Sequence, residues 1–162
     1  TKLPYEDDFF DVVITNHVIE HVGNTDEQRK HLDEIRRVMR PDAICYFAVP
    51  NKWRIVEPHF RLPFLSWFPQ ALSDLVVRLT GKGEYYDCNP LDHFQAIKLF
   101  HEVGFDYESR TLDAMTIMLH VESTSLLERL ILRLPLVFRR ILYPIIPTMI
   151  FVLKPSREVT FE

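Results

Sequence analysis

Phe10-Asp11-Val12-Val13-Ile14-Thr15, running directly into Asn16-His17-Val18-Ile19-Glu20-His21, is the stretch that decides the fold. Its first six residues form a short β-branched, apolar run, the composition of a strand buried between helices on both faces of a parallel sheet. A helix is signposted next, from Thr25. Thr25 and Gln28 fit a capping box, and Asp26 and Glu27 suit the positive end of the helix dipole. Arg36, Arg37 and Arg40 suit the other end, and Pro41 is the expected stop. Leu32, Ile35, Val38 and Met39 recur at helical spacing and give one stripe to lay on a sheet. Ala43 to Val49 reads as a second buried strand, closed by Pro50-Asn51. A strand-helix-strand unit of this length predicts a right-handed crossover and parallel pairing.

Beyond Asn51 the rhythm breaks. Residues 52–88 are crowded with aromatics and prolines, contain one helical stretch from Ala71 to Leu79, and end past Gly81 and Gly83. They read as a lid inserted into a single domain spanning 1–162. Regularity returns with Asn89 as an expected cap and Pro90 as the first helical position, and Gly104 ends that helix. Its expected inner stripe is Phe94, Ile97, Phe100 and Val103. Phe105 to Leu112 supplies another strand, residues 124–143 a helix, and Thr148 to Leu153 a last strand. The fold class is α/β, without internal repeats.

With 162 residues, 47% hydrophobic and 12% aromatic, the chain can bury a real core. A net charge of -4 gives no basic surface for phosphate backbones, so nucleic acid is not an expected partner. Cys45 and Cys88 form no CxxC pair, which suits reduced thiols in a cytoplasmic protein, and no metal site is expected through them. The acidic opening lacks the apolar core of a signal peptide, and the missing initiator Met reads as an N-terminal truncation. Tyr143 to Leu153, broken by Pro144 and Pro147, is too short to cross a bilayer.

Leu3-Pro4-Tyr5 through Ile14, followed by Val18-Ile19-Glu20-His21-Val22, resembles the central motif of class I S-adenosylmethionine-dependent methyltransferases: a Leu-Pro-Phe turn, a Phe-Asp-Val-Val strand and a Leu-Glu-His-Val turn. Leu32-Asp33-Glu34-Ile35-Arg36-Arg37-Val38-Met39-Arg40-Pro41 is similar to the family's Glu-Ile-x-Arg-Val-Leu-Lys-Pro, with Asp42 and Ala43 where glycines are usual. The resemblance implies a partial doubly wound, Rossmann-like sheet comprising strands four to seven, the last antiparallel. It also implies S-adenosylmethionine as cofactor. The glycine-rich loop and the acidic ribose-binding residue would then lie upstream of Thr1, leaving an exposed apolar edge beside Val12 and Ile14 and poor solubility.

Ligands of open parallel sheets bind beyond the carboxyl ends of the strands, so Thr15, Asn16 and His17 are expected at the cofactor's methionine end. The plainer reading of those three is a polar strand exit with a helix cap. By the resemblance, Leu3 and Pro4 approach the adenine edge. His21 is the candidate catalytic base, or else a histidine that orients the loop. His17 to His21 also spells the H-x-x-E-H signature of inverted zinc proteases, but that motif needs a continuous helix and the strand ends just before His17. Some quinone-pathway methyltransferases are similar in carrying a glutamate at the position of His17 and use that cluster for magnesium; an imidazole suits magnesium less. Asn51, Trp53, His59 and Arg61 are expected to face the acceptor, and Glu57 to Phe64 resembles a lid of bacterial methyltransferases associated with surface glycans or lipids. The basic, Leu- and Ile-rich stretch 126–154 either lies on an anionic membrane or simply covers the sheet. The expected function is methyl transfer to a small-molecule, glycan- or lipid-linked acceptor; a non-catalytic binding module keeping the same fold is the second reading.

Overall fold

The computed structural model describes residues 2–122, 135, 138 and 140–156. Strand β1 (Phe10–Asn16) leads through a 3-10 turn (Ile19–His21) into helix α1 (Thr25–Val38), and strand β2 (Met39–Pro50) follows. The segment 52–88, expected to be a lid and so labelled below, holds the two-residue strands β3 (Val56–Glu57) and β4 (Leu62–Pro63) and helix α2 (Gln70–Leu79). Helix α3 (His93–Val103), strand β5 (Phe105–Ser109), helix α4 (Thr111–Glu122) and strand β6 (Thr148–Pro155) complete the order. The main sheet runs β1-β2-β6-β5. β1 and β2 pair in parallel, as a crossover through α1 requires, while β6 is antiparallel to both its neighbours.

Helices α1 and α3 cover one face of this sheet. Leu32 and Ile35 of α1 and Ala96, Leu99 and Phe100 of α3 pack on Cys45, Phe47, Val49, Met149, Phe151 and Leu153. Each wholly buried Leu or Phe here contributes about 1.5–3 kcal/mol relative to exposure. On the opposite face the β1–β2 end is bare: Val12 is 54% exposed, Ile14 72%, Ile44 41% and Tyr46 37%. Val12 pairs with Ile44 and Ile14 with Tyr46, so the four form one apolar patch at the sheet edge. β1 is therefore not the strand buried on both faces that its composition predicts, and the bare patch lies where an exposed edge was expected.

Several boundaries differ from the sequence reading, each for a local reason. The cap of α1 is Asn24, not Thr25: its Oδ1 accepts from the N–H groups of Asp26 and Glu27, and Glu27 returns a bond to the Asn24 N–H. Asn24 has the extended backbone that a cap needs, whereas Thr25 is already helical. Helix α1 stops at Val38, and Pro41 lies inside an irregular start of β2, where the register with β1 shifts between Phe10 and Val12. The cap of α3 is Asp92, boxed with Gln95, because Asn89 and Pro90 are held in the preceding loop. The buried face of α3 accordingly uses Ala96 and Leu99 with Phe100 and Val103, while Phe94 is 81% exposed. β5 ends at Ser109, and Thr111, whose hydroxyl is tied to the Ile150 backbone, opens α4 in place of a longer strand. Most of the helix expected over 124–143 lies outside the described residues.

Candidate functional site

The carboxyl end of β1 is where the sequence motif becomes geometry. Thr15 is buried, and its Oγ1 has no hydrogen-bond partner; Asn16 is exposed. His17 takes a left-handed backbone with φ of 54°, which turns the chain sharply out of the strand. Its N–H still donates to Ala48 O at 2.9 Å, and its Nε2 lies 3.3 Å from Thr148 Oγ1. Burial pushes the His17 imidazole below its usual value, against an opposing pull from Glu20.

The turn Ile19–His21 then aims Glu20 inward. Glu20 is wholly buried and neither carboxylate oxygen has a hydrogen-bond partner, an arrangement that leaves a charge largely uncompensated. Its Oε1 lies 3.7 Å from His17 Nδ1 and 3.9 Å from His21 Nε2. The other imidazole nitrogen of His21, Nδ1, is 3.8 Å from Cys88 Sγ. His59 stands with its ring centroid 5.3 Å from that of His21, at 86° between planes. His59 Nδ1 is 2.8 Å from Glu57 Oε1 and 3.9 Å from Cys88 Sγ. Behind them, Arg54 and Glu57 form a buried ion pair.

Backbone bonds lock the two halves of this cluster together. The Asn89 N–H donates to Glu20 O at 2.7 Å, and the buried Gln28 side chain donates to both Ile19 O (3.1 Å) and Asn89 O (2.9 Å). Gln28, read from the sequence as half of a capping box, is thus the peg that joins the turn after β1 to the exit of the lid. A cleft of about 290 Å³ runs alongside, lined in part by Gln28, Lys52, Gln70, Tyr86 and Cys88. Burial pushes both the Tyr86 hydroxyl and the Cys88 thiol well above their ordinary ranges.

The structure brings together His17, His21 and His59 and places Thr15 and Asn16 at the strand exit. Other expected residues go elsewhere. Leu3 is bound through its N–H to Glu34 (2.7 Å), and its carbonyl accepts from Arg37, on the last turns of α1. Leu3 and the exposed Pro4 thus sit at the opposite end of β1 from Asn16, and a seven-residue strand is roughly 20 Å long. Asn51 is buried, its Nδ2 donates to Pro144 O and Ile146 O, and its Oδ1 accepts from the Trp53 N–H. Trp53 stays 39% exposed, edge-on to Trp67 in the lid. Arg61, with φ of 53°, is exposed, and its carbonyl accepts from Lys82.

Sequence reasoning missed Cys88, Arg54 and the hub role of Glu20. His21 and Cys88 are 67 positions apart, and no spacing rule joins them. His17 precedes a three-residue 3-10 turn and does not share with His21 the continuous helix that the H-x-x-E-H signature needs. Among the described residues, two groups have metal-ligating geometry, His21–Asp87–Cys88 and Glu57–His59–Cys88, and neither contains His17.

Residues 1–47 match the family model described as a methyltransferase domain. A search of curated protein sequences finds no match. Among solved structures, one match is the complex between the Haloferax volcanii Trm112 methyltransferase activator and the putative methyltransferase, with a TM-score of 0.50 at 16% identity. It covers 96% of this chain and 58% of that one. The chain has the class I methyltransferase fold. PKMT2 from Rickettsia typhi is similar at a TM-score of 0.50 and 12% identity, covering 94% of this chain and 38% of that chain. A SAM-dependent methyltransferase from Archaeoglobus fulgidus also matches, at a TM-score of 0.44 and 10% identity over 91% of this chain and 59% of its own. This chain therefore spans little more than half the length of the first of these relatives. In the methyltransferase fold, β1, β2, β6 and β5 occupy the places of strands four, five, seven and six, as the sequence resemblance implies. No helix among the described residues is long and apolar enough to cross a membrane.

Proposed function

We propose that this chain supplies the acceptor side and the methionine end of the cofactor site in an S-adenosylmethionine-dependent methyl transfer to a small-molecule, glycan- or lipid-linked acceptor. The observation that carries the reading is the β1 exit, where an orphaned buried hydroxyl (Thr15), an exposed amide (Asn16) and a buried, unpartnered carboxylate (Glu20) meet beside two lid-facing histidines. Orphaned polar atoms at a strand's carboxyl end fit a polar, cationic ligand. When bound, the cofactor offers an electrophilic methyl group on a sulfonium, whose departure as a neutral thioether needs no acid.

The residues of this chain then have limited tasks. Thr15 and Asn16 would hold the methionine end, and the left-handed backbone at His17 would keep the turn clear of it. His21 takes the proton of an acceptor hydroxyl, and Glu20, 3.9 Å behind it, stabilises the imidazolium. His59, across from His21, helps to hold the acceptor. The half-exposed aromatics Trp53, Phe64 and Trp67 offer the flat apolar faces on which sugar rings or acyl chains rest. The bare β1 edge is suited to pair with a further strand bearing the glycine-rich loop, whose helix would cover Val12 and Ile14. Contact of 126–154 with an anionic bilayer belongs to the same proposal, and co-sedimentation with anionic vesicles tests it; residues 126–134, 136, 137 and 139 of that segment lie outside the described residues.

Isothermal titration of the whole protein with S-adenosylhomocysteine is the direct test. We expect binding that Asn16→Ala weakens and His21→Ala leaves intact, with His21→Ala lowering turnover on a hydroxyl acceptor by about 10²–10⁴-fold. Absence of binding in the wild type favours the non-catalytic module instead.

A further inference from the structure

We propose that His21 Nδ1, Cys88 Sγ and Asp87 Oδ1 form a site for a divalent transition metal, zinc by preference, that clamps the lid to the turn after β1. The three ligand atoms lie within 4.8 Å of one another. Cys88 Sγ is 3.8 Å from His21 Nδ1 and 3.6 Å from Asp87 Oδ1. Ordinary zinc bond lengths to sulfur, nitrogen and oxygen set the edges of a tetrahedron at about 3.3–3.6 Å, so the two edges that meet at Cys88 Sγ are within a few tenths of an ångström of that geometry.

A second observation points the same way. Glu20 is fully buried with both oxygens unpartnered, and it stands behind His21 on the Nε2 side, opposite the nitrogen that faces Cys88. That is the carboxylate-histidine-metal order, and closing the 3.9 Å gap to hydrogen-bond length would let the carboxylate fix the tautomer of the ligating ring. The nearest buried cation, Arg54, is already paired with Glu57, so the charge of Glu20 has no other full partner among the described residues. Thiolate, imidazole and carboxylate together favour zinc or cobalt over magnesium or calcium. Three protein ligands leave one position for water or an acceptor oxygen. The ligand atoms define the site whether or not methyl transfer occurs. It does bear on the base role of His21, because an ion on Nδ1 occupies the lone pair that would take a proton there.

The test is titration of the metal-free whole protein with cobalt(II), then zinc. We expect one equivalent bound, a near-ultraviolet thiolate-to-cobalt band, and displacement of cobalt by zinc. Cys88→Ser should abolish the band and Asp87→Asn should weaken zinc binding. Glu20→Gln should weaken it by about 10–100-fold, and His17→Ala should leave it unchanged. No retained metal, retention unaffected by both Cys88→Ser and Asp87→Asn, or an equal loss in His17→Ala overturns the site. Asp87 is exposed, so its variant keeps the test valid if Cys88→Ser fails to fold. S-adenosylhomocysteine titration in parallel separates the readings: metal without nucleoside binding sinks methyl transfer alone, and the reverse sinks the metal site alone.

Discussion

Replacing Arg54 by Met should unlatch the lid. Arg54 is 2% exposed and Glu57 0%, and their ion pair sits where water does not reach. Removing one partner of such a pair costs about 3–5 kcal/mol, because the remaining charge stays buried without compensation. Here Glu57 keeps two other contacts, the Phe60 N–H at 2.7 Å and His59 at 2.8 Å, which places the expected loss near 3 kcal/mol. For a chain of this size that is a fall in Tm on the order of 10 °C if the lid melts with the domain. The assay distinguishes that case from local opening. Both tryptophans of the chain, Trp53 and Trp67, lie in the lid, and Trp67 Nε1 donates to Arg54 O at 2.9 Å. Urea melts followed by tryptophan fluorescence therefore report the lid, and circular dichroism reports the helices. The variant should lower the fluorescence midpoint at least as far as the dichroism midpoint. Adding Glu57→Gln, which removes the stranded charge but keeps an acceptor for Phe60, should recover at least half the loss. A single variant within about 1 kcal/mol of wild type, or a double variant no better than the single, would refute the argument.

Acid should destabilise the protein from near neutrality downward. Burial depresses the pKa of His17, His31 and His93 below the ordinary 6.5, so the unfolded chain binds more protons than the folded one below that value. Their contribution is complete above about pH 6.5 and is lost as the pH falls through the folded values; Tm that stays flat or rises between about pH 7 and pH 5 contradicts this. Glu34, held at about 2 by the Arg37 guanidinium, contributes stability that is complete above the ordinary 4.5 and fades only toward 2. Gly23→Ala should cost more than Asn24→Ala: φ is 121° there, and an added Cβ would clash with Glu27 Oε2, breaking the capping box while straining the backbone. We expect about 1 kcal/mol for the cap alone and about 1–3 more for the strain, read from thermal melts; the reverse order sinks the explanation. Ile14→Lys, at a position 72% exposed on the bare sheet edge, should raise the solubility of this chain while moving its stability by less than about 0.5 kcal/mol. Unchanged precipitation would show that the edge is not the sticky surface.

What the sequence determined by itself was the run of elements around the motif: strand, helix, parallel strand, aromatic segment, helix, and a final strand, whose antiparallel direction only the resemblance implied. These are legible because hydrophobic period and breaker residues act over a few positions, and Phe10 to Asn16 or Gly104 carry their signal locally. The strand exit was legible too, since Thr15, Asn16 and His17 follow from where β1 must stop. Tertiary structure alone decided which polar groups meet. Leu3 and Pro4 adjoin the motif in sequence, yet a strand's length separates them from its exit. Asn51, a plausible acceptor contact at a strand end, spends its amide on Pro144 and Ile146, which no local rule brings near. The caps moved to Asn24 and Asp92 because capping depends on the backbone angle of one residue, which neighbouring packing sets. Cys88 came to His21 only because Gln28 and Asn89 pin the lid to the turn, a long-range closure that side-chain hydrogen bonds specify and periodicity cannot express.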